Sequence, residues 1–242
     1  MESFTTLRMG AGSGVLLVCD HASNRLPAGY GTLGLTQEAF ERHIGYDIGA
    51  AQLARALSAR LDAPAILGGY SRLLIDLNRG AEDPTLIMAL SDGALIPGNH
   101  PLPAEERARR LALYYEPYHA AISAALDTML ARGLEPKIIS LHSFTPVWRG
   151  RARPWHVGVL WNKDGRLAHP LLEALRAEAD LVVGDNEPYS GELEDDCMDR
   201  HGTKRGLPHV LIEIRQDLLG TVAGIAAWAD LLARAIRQSI GA

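Results

Sequence analysis

Four groups of side chains in this sequence could together bind a metal ion, move a proton and hold an anionic ligand. They are His21, His142, Glu213 and the pair Asn78-Arg79, and each stands at the end of a short apolar run or within one. Neutral imidazole is the usual nitrogen ligand of zinc, and a partly buried carboxylate can act as a general base. A guanidinium offers a planar fork that matches a carboxylate, which a lysine does not.

The apolar runs beside these residues predict the strands that position them. The runs are Val15–Val18, Leu73–Ile75, Ile138–Leu141 and Val210–Ile212. Bounded runs of this length among helical segments are typical of buried strands in an open sheet, where ligands bind at the strand ends. We therefore expect the two histidines, the Asn-Arg pair and the glutamate to converge on one cleft.

Strand and helix patterns alternate along the chain. Strands are predicted at 14–19, 64–68, 72–77, 137–142, 155–161, 181–184 and 208–214, and helices at 36–60, 104–132, 167–178 and 220–240. This order predicts helices on both faces of a mostly parallel or mixed sheet. Pro117 should kink or interrupt its helix because proline has no backbone N–H. The long segment 186–208 carries enough polar groups to cover an anionic ligand.

The composition allows this architecture and argues against other classes of protein. With 242 residues, 47% of them hydrophobic, the chain is expected to form a single α/β domain over residues 1–242. A net charge of -5 argues against nucleic-acid binding, and no apolar stretch is long enough to predict a membrane span. A soluble cytoplasmic protein is therefore expected. The cysteines, Cys19 and Cys197, predict no disulfide framework and are expected to be buried thiols.

Each histidine has an ordinary structural explanation beside the metal hypothesis. His21 could belong to a polar turn, and His142 could be a hydrogen-bonded core histidine. Two histidines at two strand ends favour a metal, which needs a further ligand. The oxygen donors in reach are Asn24, on the His21 turn, and Asp47, expected four residues after His43 on one helical face. A carboxylate is the better zinc ligand, which favours Asp47.

Glu213 and Arg79 also each have two interpretations. A buried carboxylate among apolar residues would have a raised pKa, which suits a general base, whereas an edge strand would turn Glu213 to solvent. Arg79 could bind a substrate carboxylate, or it could pair internally with Asp76 or Glu82.

Five segments in order resemble the N-formylglutamate amidohydrolase family, over roughly residues 14–220. They are Asp20–Asn24 with Pro27, His43–Ala50, Ser71–Arg79, Ser140–Phe144, and His201-Gly202 before Ile212–Arg215. More distantly, three shorter segments are similar to zinc carboxypeptidases, namely Asp76–Arg79, Leu141–Ser143 and Glu213–Arg215. The resemblance implies a phosphorylase/hydrolase-like, three-layer α/β/α sandwich with a mixed central sheet.

The resemblance also implies a reaction and a set of roles. The reaction would be zinc-dependent hydrolysis of N-formylglutamate or a similar N-acyl amino acid, giving formate or another small acid and a free amino acid. The implied roles are His21, Asp47 and His142 as ligands of one Zn²⁺, Glu213 as general base, Arg72 or His201 as oxyanion stabiliser, and Asn24, Asn78 and Arg79 as substrate-binding residues.

One departure from the carboxypeptidase pattern keeps two other functions open. Those enzymes carry His-x-x-Glu on the first loop, where this chain has His21-Ala22-Ser23-Asn24. The alternatives are a carboxypeptidase-like hydrolase of small peptides and a catalytically silent module that binds acidic amino acids. In each case the expected partner is a small molecule.

Overall fold

Short strands make up the sheets of this protein, whose computed structural model describes residues 3–241. In chain order they are β1 (Phe4–Leu7), β2 (Val15–Cys19), β3 (Ala65–Gly68), β4 (Leu90–Ser91), β5 (Ala94–Leu95), β6 (Lys137–Phe144), β7 (Val147–Trp148), β8 (Arg151–Ala152), β9 (Val157–Leu160), β10 (Val183–Asp185) and β11 (His209–Arg215). Seven of them form the central sheet, in the order β1-β3-β2-β6-β11-β9-β10. The pairs β4-β5 and β7-β8 are small separate hairpins.

The helices are α1 (Gln37–Glu41), α2 (Ala50–Leu61), α3 (Ala104–Arg110), α4 (Glu116–Ala131), α5 (Ala168–Arg176), α6 (Cys197–His201) and α7 (Val222–Ile240). A π-helical turn, Leu111–Tyr115, joins α3 to α4 directly before Pro117. The predicted interruption of this long helix is therefore present. No helix within residues 3–241 combines the length and the apolar character that a membrane crossing requires.

The central strands run parallel and bring the chemistry-bearing residues to the same end of the strands. Strands β3, β2, β6 and β11 are parallel neighbours, whereas β9 is antiparallel to β11. Glu213 on β11 lies opposite His142 on β6 and opposite Gly158 on β9. Because β11 lies between two strands, Glu213 is not on an edge strand.

Helices cover both faces of the sheet. Neighbouring strand residues alternate between the faces, so that Leu17 joins a core with α2, α5 and α7, while Leu16 joins a second core with α4. Both cores bury their strand side chains, which explains why β2, β6 and β11 have continuous apolar runs. The predicted three-layer α/β/α arrangement with a mixed sheet is confirmed.

Two predicted elements are wrong. The helix predicted over 36–60 is two helices, and Asp47 lies in the irregular segment between them. Helix α2 begins after Gly49, whose φ of 82° is in the left-handed region that glycine adopts without strain. His43 and Asp47 therefore do not share a helical face. Segment 72–77 is buried but forms turns instead of a strand, since the amide of Leu74 donates to the Ser71 carbonyl.

Candidate active site

A cavity of about 390 Å³ lies where β2, β6 and β11 end. Its chemistry-bearing lining is His21, Asp47, Arg72, Asn78, Arg79, His142 and Glu213. Its apolar lining includes Leu160, Trp161, Leu193, Met198 and Leu211. The structure thus brings together seven residues that the sequence proposes for one site, and it adds an apolar wall.

Two histidines and one aspartate face one another in this cavity. The Asp47 Oδ2 atom lies 3.3 Å from His21 Nδ1 and 2.7 Å from His142 Nδ1. All three side chains are buried, and one ligand atom from each falls within 4.8 Å of the others. Two imidazole nitrogens and a carboxylate oxygen are a common catalytic donor set for zinc, which leaves one position for water or substrate.

The outer nitrogens of both histidines are held by further buried carboxylates. His21 Nε2 lies 2.6 Å from Asp76 Oδ1, and His142 Nε2 lies 3.0 Å from Asp20 Oδ2. A histidine that binds a metal usually donates its other N–H to a carboxylate or carbonyl, which fixes the ring and its tautomer. The surroundings of the His21–Asp47–His142 cluster therefore fit a metal centre.

Asp47 is held in place by its backbone and by the next strand. Its amide donates to the His21 carbonyl at 3.0 Å, and its Oδ2 accepts from the Ser143 amide at 3.3 Å. The Ser143 hydroxyl donates to the carbonyl of Ile48 at 2.8 Å. Gly49 has a left-handed backbone conformation and precedes α2. The segment before it places the Asp47 carboxylate beside His21 and His142.

The charges at the cluster also fit a divalent cation. Burial raises the pKa of Asp47, but His21 and His142 outweigh it and hold that pKa well below its usual range. Burial likewise opposes ionisation of Asp76 and Asp20, and Arg72 and the histidines keep both pKa values low. The same carboxylates raise the pKa of His21 and of His142, so that protons on the imidazoles compensate the buried negative charge when no metal is bound. A dication would take the place of those protons, because an imidazole must be neutral to bind a metal.

Glu213 is a buried acid of the cavity with an oxygen atom that accepts no hydrogen bond from the described residues. It is 7% exposed, and its Oε2 atom has no hydrogen-bond partner within the described part of the chain. Burial and the nearby Asp47 raise the pKa of Glu213 from 4.5 to about 7. A carboxyl that titrates near neutral pH is suited to accept a proton from water and to return it.

The two arginines of the cavity differ in their partners. The Arg72 guanidinium donates to Asp76 Oδ2 at 2.7 Å and lies 3.6 Å from Asp47 Oδ1. The Arg79 guanidinium has no hydrogen bond or ion pair to the residues that the structure describes. Glu82, one of its two possible internal partners, lies instead beside Arg107. The other, Asp76, interacts with Arg79 only through charge, which helps to lower the pKa of that carboxyl, so the N–H groups of Arg79 remain available to a ligand carboxylate.

Asn78 lies next to Arg79 in the cavity and is tied to two neighbours. Its amide donates to Asp76 Oδ1 at 2.9 Å, and its side-chain oxygen accepts from the Cys197 amide at 3.3 Å. The side-chain NH₂ group of Asn78 stays available for a ligand.

Two sequence-proposed residues lie away from the cavity lining. The Asn24 side chain donates to the Phe40 carbonyl at 3.2 Å, and His201 Nε2 lies 2.9 Å from His119 Nδ1. The structure therefore does not bring Asn24 or His201 to the cluster.

Sequence reasoning missed the roles of two aspartates. Asp20 and Asp76 support the histidines from outside, although neither was proposed as a site residue. A signal was available, since each carboxylate ends a strongly apolar run and becomes buried. Their partners are not readable, because His142 is far from Asp20 in sequence.

Comparison with known proteins identifies the family. The model of the N-formylglutamate amidohydrolase family matches residues 13–220. A crystal structure of a gene product from Agrobacterium tumefaciens superposes with a TM-score of 0.96 at 35% identity, covering 100% of this chain and 96% of the other.

A second solved structure shares the fold at lower identity. N-formylglutamate amidohydrolase from Ralstonia eutropha JMP134 superposes with a TM-score of 0.78 at 22% identity, covering 100% of this chain and 98% of the other. A search of curated protein sequences gives no match. Because the family model matches most of its length, the chain belongs to the N-formylglutamate amidohydrolase family.

Proposed function

We propose that this protein is a zinc-dependent amidohydrolase of N-formylglutamate or a similar N-acyl amino acid. The products are formate or another small acid and the free amino acid. The observation that carries the proposal is the position of Glu213, whose unpartnered Oε2 lies in the same cavity as the His21–Asp47–His142 cluster. Family membership supports the amide-cleaving chemistry.

In this mechanism His21, Asp47 and His142 hold the metal. When bound, zinc supplies a Lewis acid that polarises the acyl carbonyl and lowers the pKa of the attacking water. Asp76 and Asp20 would keep the imidazoles oriented and fix their tautomer by accepting their outer N–H groups.

Glu213 moves the proton. Its carboxylate takes a proton from the attacking water and passes it to the nitrogen of the leaving amino acid. We assign oxyanion stabilisation to Arg72, because Arg72 lines the cavity and His201 does not.

Arg79 and Asn78 select the substrate. The Arg79 guanidinium makes no hydrogen bond or ion pair to residues 3–241 and would match one carboxylate of the substrate, and Asn78 adds hydrogen-bond donors beside it. The remaining wall combines apolar side chains, such as Leu160, Met198 and Leu211, with polar ones. The substrates tested for hydrolysis should therefore include N-formyl amino acids with apolar as well as acidic side chains.

The test is hydrolysis by zinc-loaded wild-type protein and Glu213→Gln. We expect the variant to keep its metal and to lose about 10²-fold or more in kcat, because glutamine cannot accept the proton. The matched control is Glu173→Gln, which changes an exposed glutamate on α5 outside the cavity lining and should leave kcat unchanged. Near wild-type turnover by Glu213→Gln would refute the general-base role. Hydrolysis that persists after complete removal of metal would refute the zinc mechanism.

A further inference from the structure

A second group of metal-ligating side chains lies outside the cavity lining. His119 on α4 and Cys197 and His201 on α6 are each buried, and one ligand atom from each falls within 4.8 Å of the others. His119 Nδ1 and His201 Nε2 are 2.9 Å apart. None of the three residues lines the cavity that holds the first cluster.

Local structure directs these donors to one point. Cys197 and His201 are four residues apart on α6, so that their side chains share one face of the helix. The Asp196 side chain caps α6 by accepting from the Asp199 amide at 2.7 Å. Helix α6 packs against α4, which presents His119 to that face.

Both imidazoles are in the form that binds metals. Burial lowers the pKa of His119 to about 3 and that of His201 to about 4, so both rings are neutral at pH 7. Nε2 of His119 makes no well-formed hydrogen bond, although the backbone of Leu77 lies close to this ring. A ligating histidine often points its outer nitrogen at a backbone carbonyl in this way.

The donor types select the class of metal. Two imidazoles and a thiol are borderline to soft ligands, which suit Zn²⁺ or Co²⁺ and not Mg²⁺ or Ca²⁺. Burial raises the pKa of the Cys197 thiol, whose side chain hydrogen-bonds to Asp20. Metal binding would replace the S–H bond with an S–metal bond and release one proton to solvent.

We propose that His119, Cys197 and His201 form a second metal site that binds Zn²⁺. The three protein ligands leave a fourth position for water. The ion would cross-link α6 to α4 and so fix the part of the cavity wall that Met198 and Asp199 contribute. The site is separate from the His21–Asp47–His142 cluster, which contains no thiol.

Cobalt substitution tests the site because a thiolate bound to Co²⁺ gives a charge-transfer band in the near ultraviolet. Full-length protein would be stripped with a chelator, reloaded with Co²⁺ and analysed for metal content. We expect the band in the wild type. In Cys197→Ser we expect the band to disappear and the bound cobalt to fall by one equivalent. The matched control is Cys19→Ser, which removes the other buried thiol and should keep the band. His119→Gln should lose the same equivalent although both thiols remain.

The outcomes separate this site from the proposed catalytic metal. Wild-type protein that binds cobalt without the band would overturn the second site, whatever the folding of the variants. A band that survives in a folded Cys197→Ser protein would overturn it as well. The band with a single equivalent of cobalt in the wild type would support the second site while contradicting the catalytic metal. Wild-type protein that binds no cobalt would overturn both.

Discussion

Replacement of Glu213 by glutamine should change the pH dependence of stability in metal-free protein. The pKa of Glu213 rises from 4.5 to about 7 because the side chain is buried beside Asp47. A group with a raised pKa in the folded state holds its proton more tightly there, so folded wild-type protein loses stability as pH rises from about 4.5 through 7. Glutamine is close in shape to the protonated acid and does not titrate.

The magnitude follows from the size of the shift. A difference of about 2.5 units, at about 1.36 kcal/mol per unit, corresponds to roughly 3 kcal/mol lost by the wild type at pH 8. Part of that loss has already occurred at pH 5. The stability of Glu213→Gln relative to wild type should therefore increase by roughly 2 to 3 kcal/mol between pH 5 and pH 8.

Urea unfolding of chelated protein at both pH values measures this difference. The control Glu173→Gln removes an exposed carboxylate and should show a constant difference from wild type. Reloading with zinc should shrink the effect, because a nearby cation lowers the pKa of Glu213. A difference for Glu213→Gln that stays constant from pH 5 to pH 8 would show that the acid is not buried in its neutral form.

Three further substitutions test the rest of the site. Arg79→Lys should raise KM roughly 10- to 100-fold with a smaller effect on kcat, since it loses the paired hydrogen bonds to the substrate carboxylate, and steady-state kinetics measures both constants. Asp76→Asn should weaken zinc binding about 10- to 100-fold by releasing the outer nitrogen of His21, as measured by competition with a chelator. Tyr118→Phe should cost about 1.5 to 3 kcal/mol in urea unfolding, because its hydroxyl donates to buried Asp20 at 3.0 Å.

Matched variants accompany these measurements. Arg166→Lys changes an exposed arginine paired with Asp164, and it should leave KM unchanged. Asp92→Asn changes an aspartate outside the cavity lining, so zinc affinity should stay at the wild-type value. An unaltered KM in Arg79→Lys would show that Arg79 does not bind the substrate carboxylate. Wild-type zinc affinity in Asp76→Asn would show that the Asp76 carboxylate does not support His21 as a zinc ligand.

The central strands were predictable because burial on both faces leaves a local mark. β2, β6 and β11 are covered on both sides and appear as continuous apolar runs. The edge strand β1 has two adjacent threonines between apolar residues, and each strand of the two hairpins is two residues long. Such short or exposed strands are fixed by tertiary pairing and leave little pattern in the sequence.

The break before α2 shows where periodicity fails. Ile44 continues the apolar spacing of the predicted helix, but it packs in a different core from Leu53. Spacing alone cannot show that two apolar residues face different cores. Asp47 was therefore proposed on its charge, while the helical geometry used to reach it was wrong.

The residues of the site were predictable by type, and their partners were not. His21, His142 and Glu213 stand out because polar groups beside apolar runs need a reason to be buried. The contact between His142 and Asp20 joins two strands far apart along the chain. Long-range pairs of this kind depend on the strand order of the sheet, which one sequence does not show.

The His21–Asp47–His142 cluster and much of the remaining cavity wall come from different parts of the chain. The cluster is set by strand ends and by the turn before Gly49, whereas segment 186–208 supplies both polar and apolar residues of the wall, among them Tyr189, Leu193 and Met198. Sequence changes in that segment would alter which amino acid fits without moving the groups that cleave the amide. Substrate choice and bond cleavage can therefore diverge separately in evolution, and a designer could exchange the wall to redirect the enzyme.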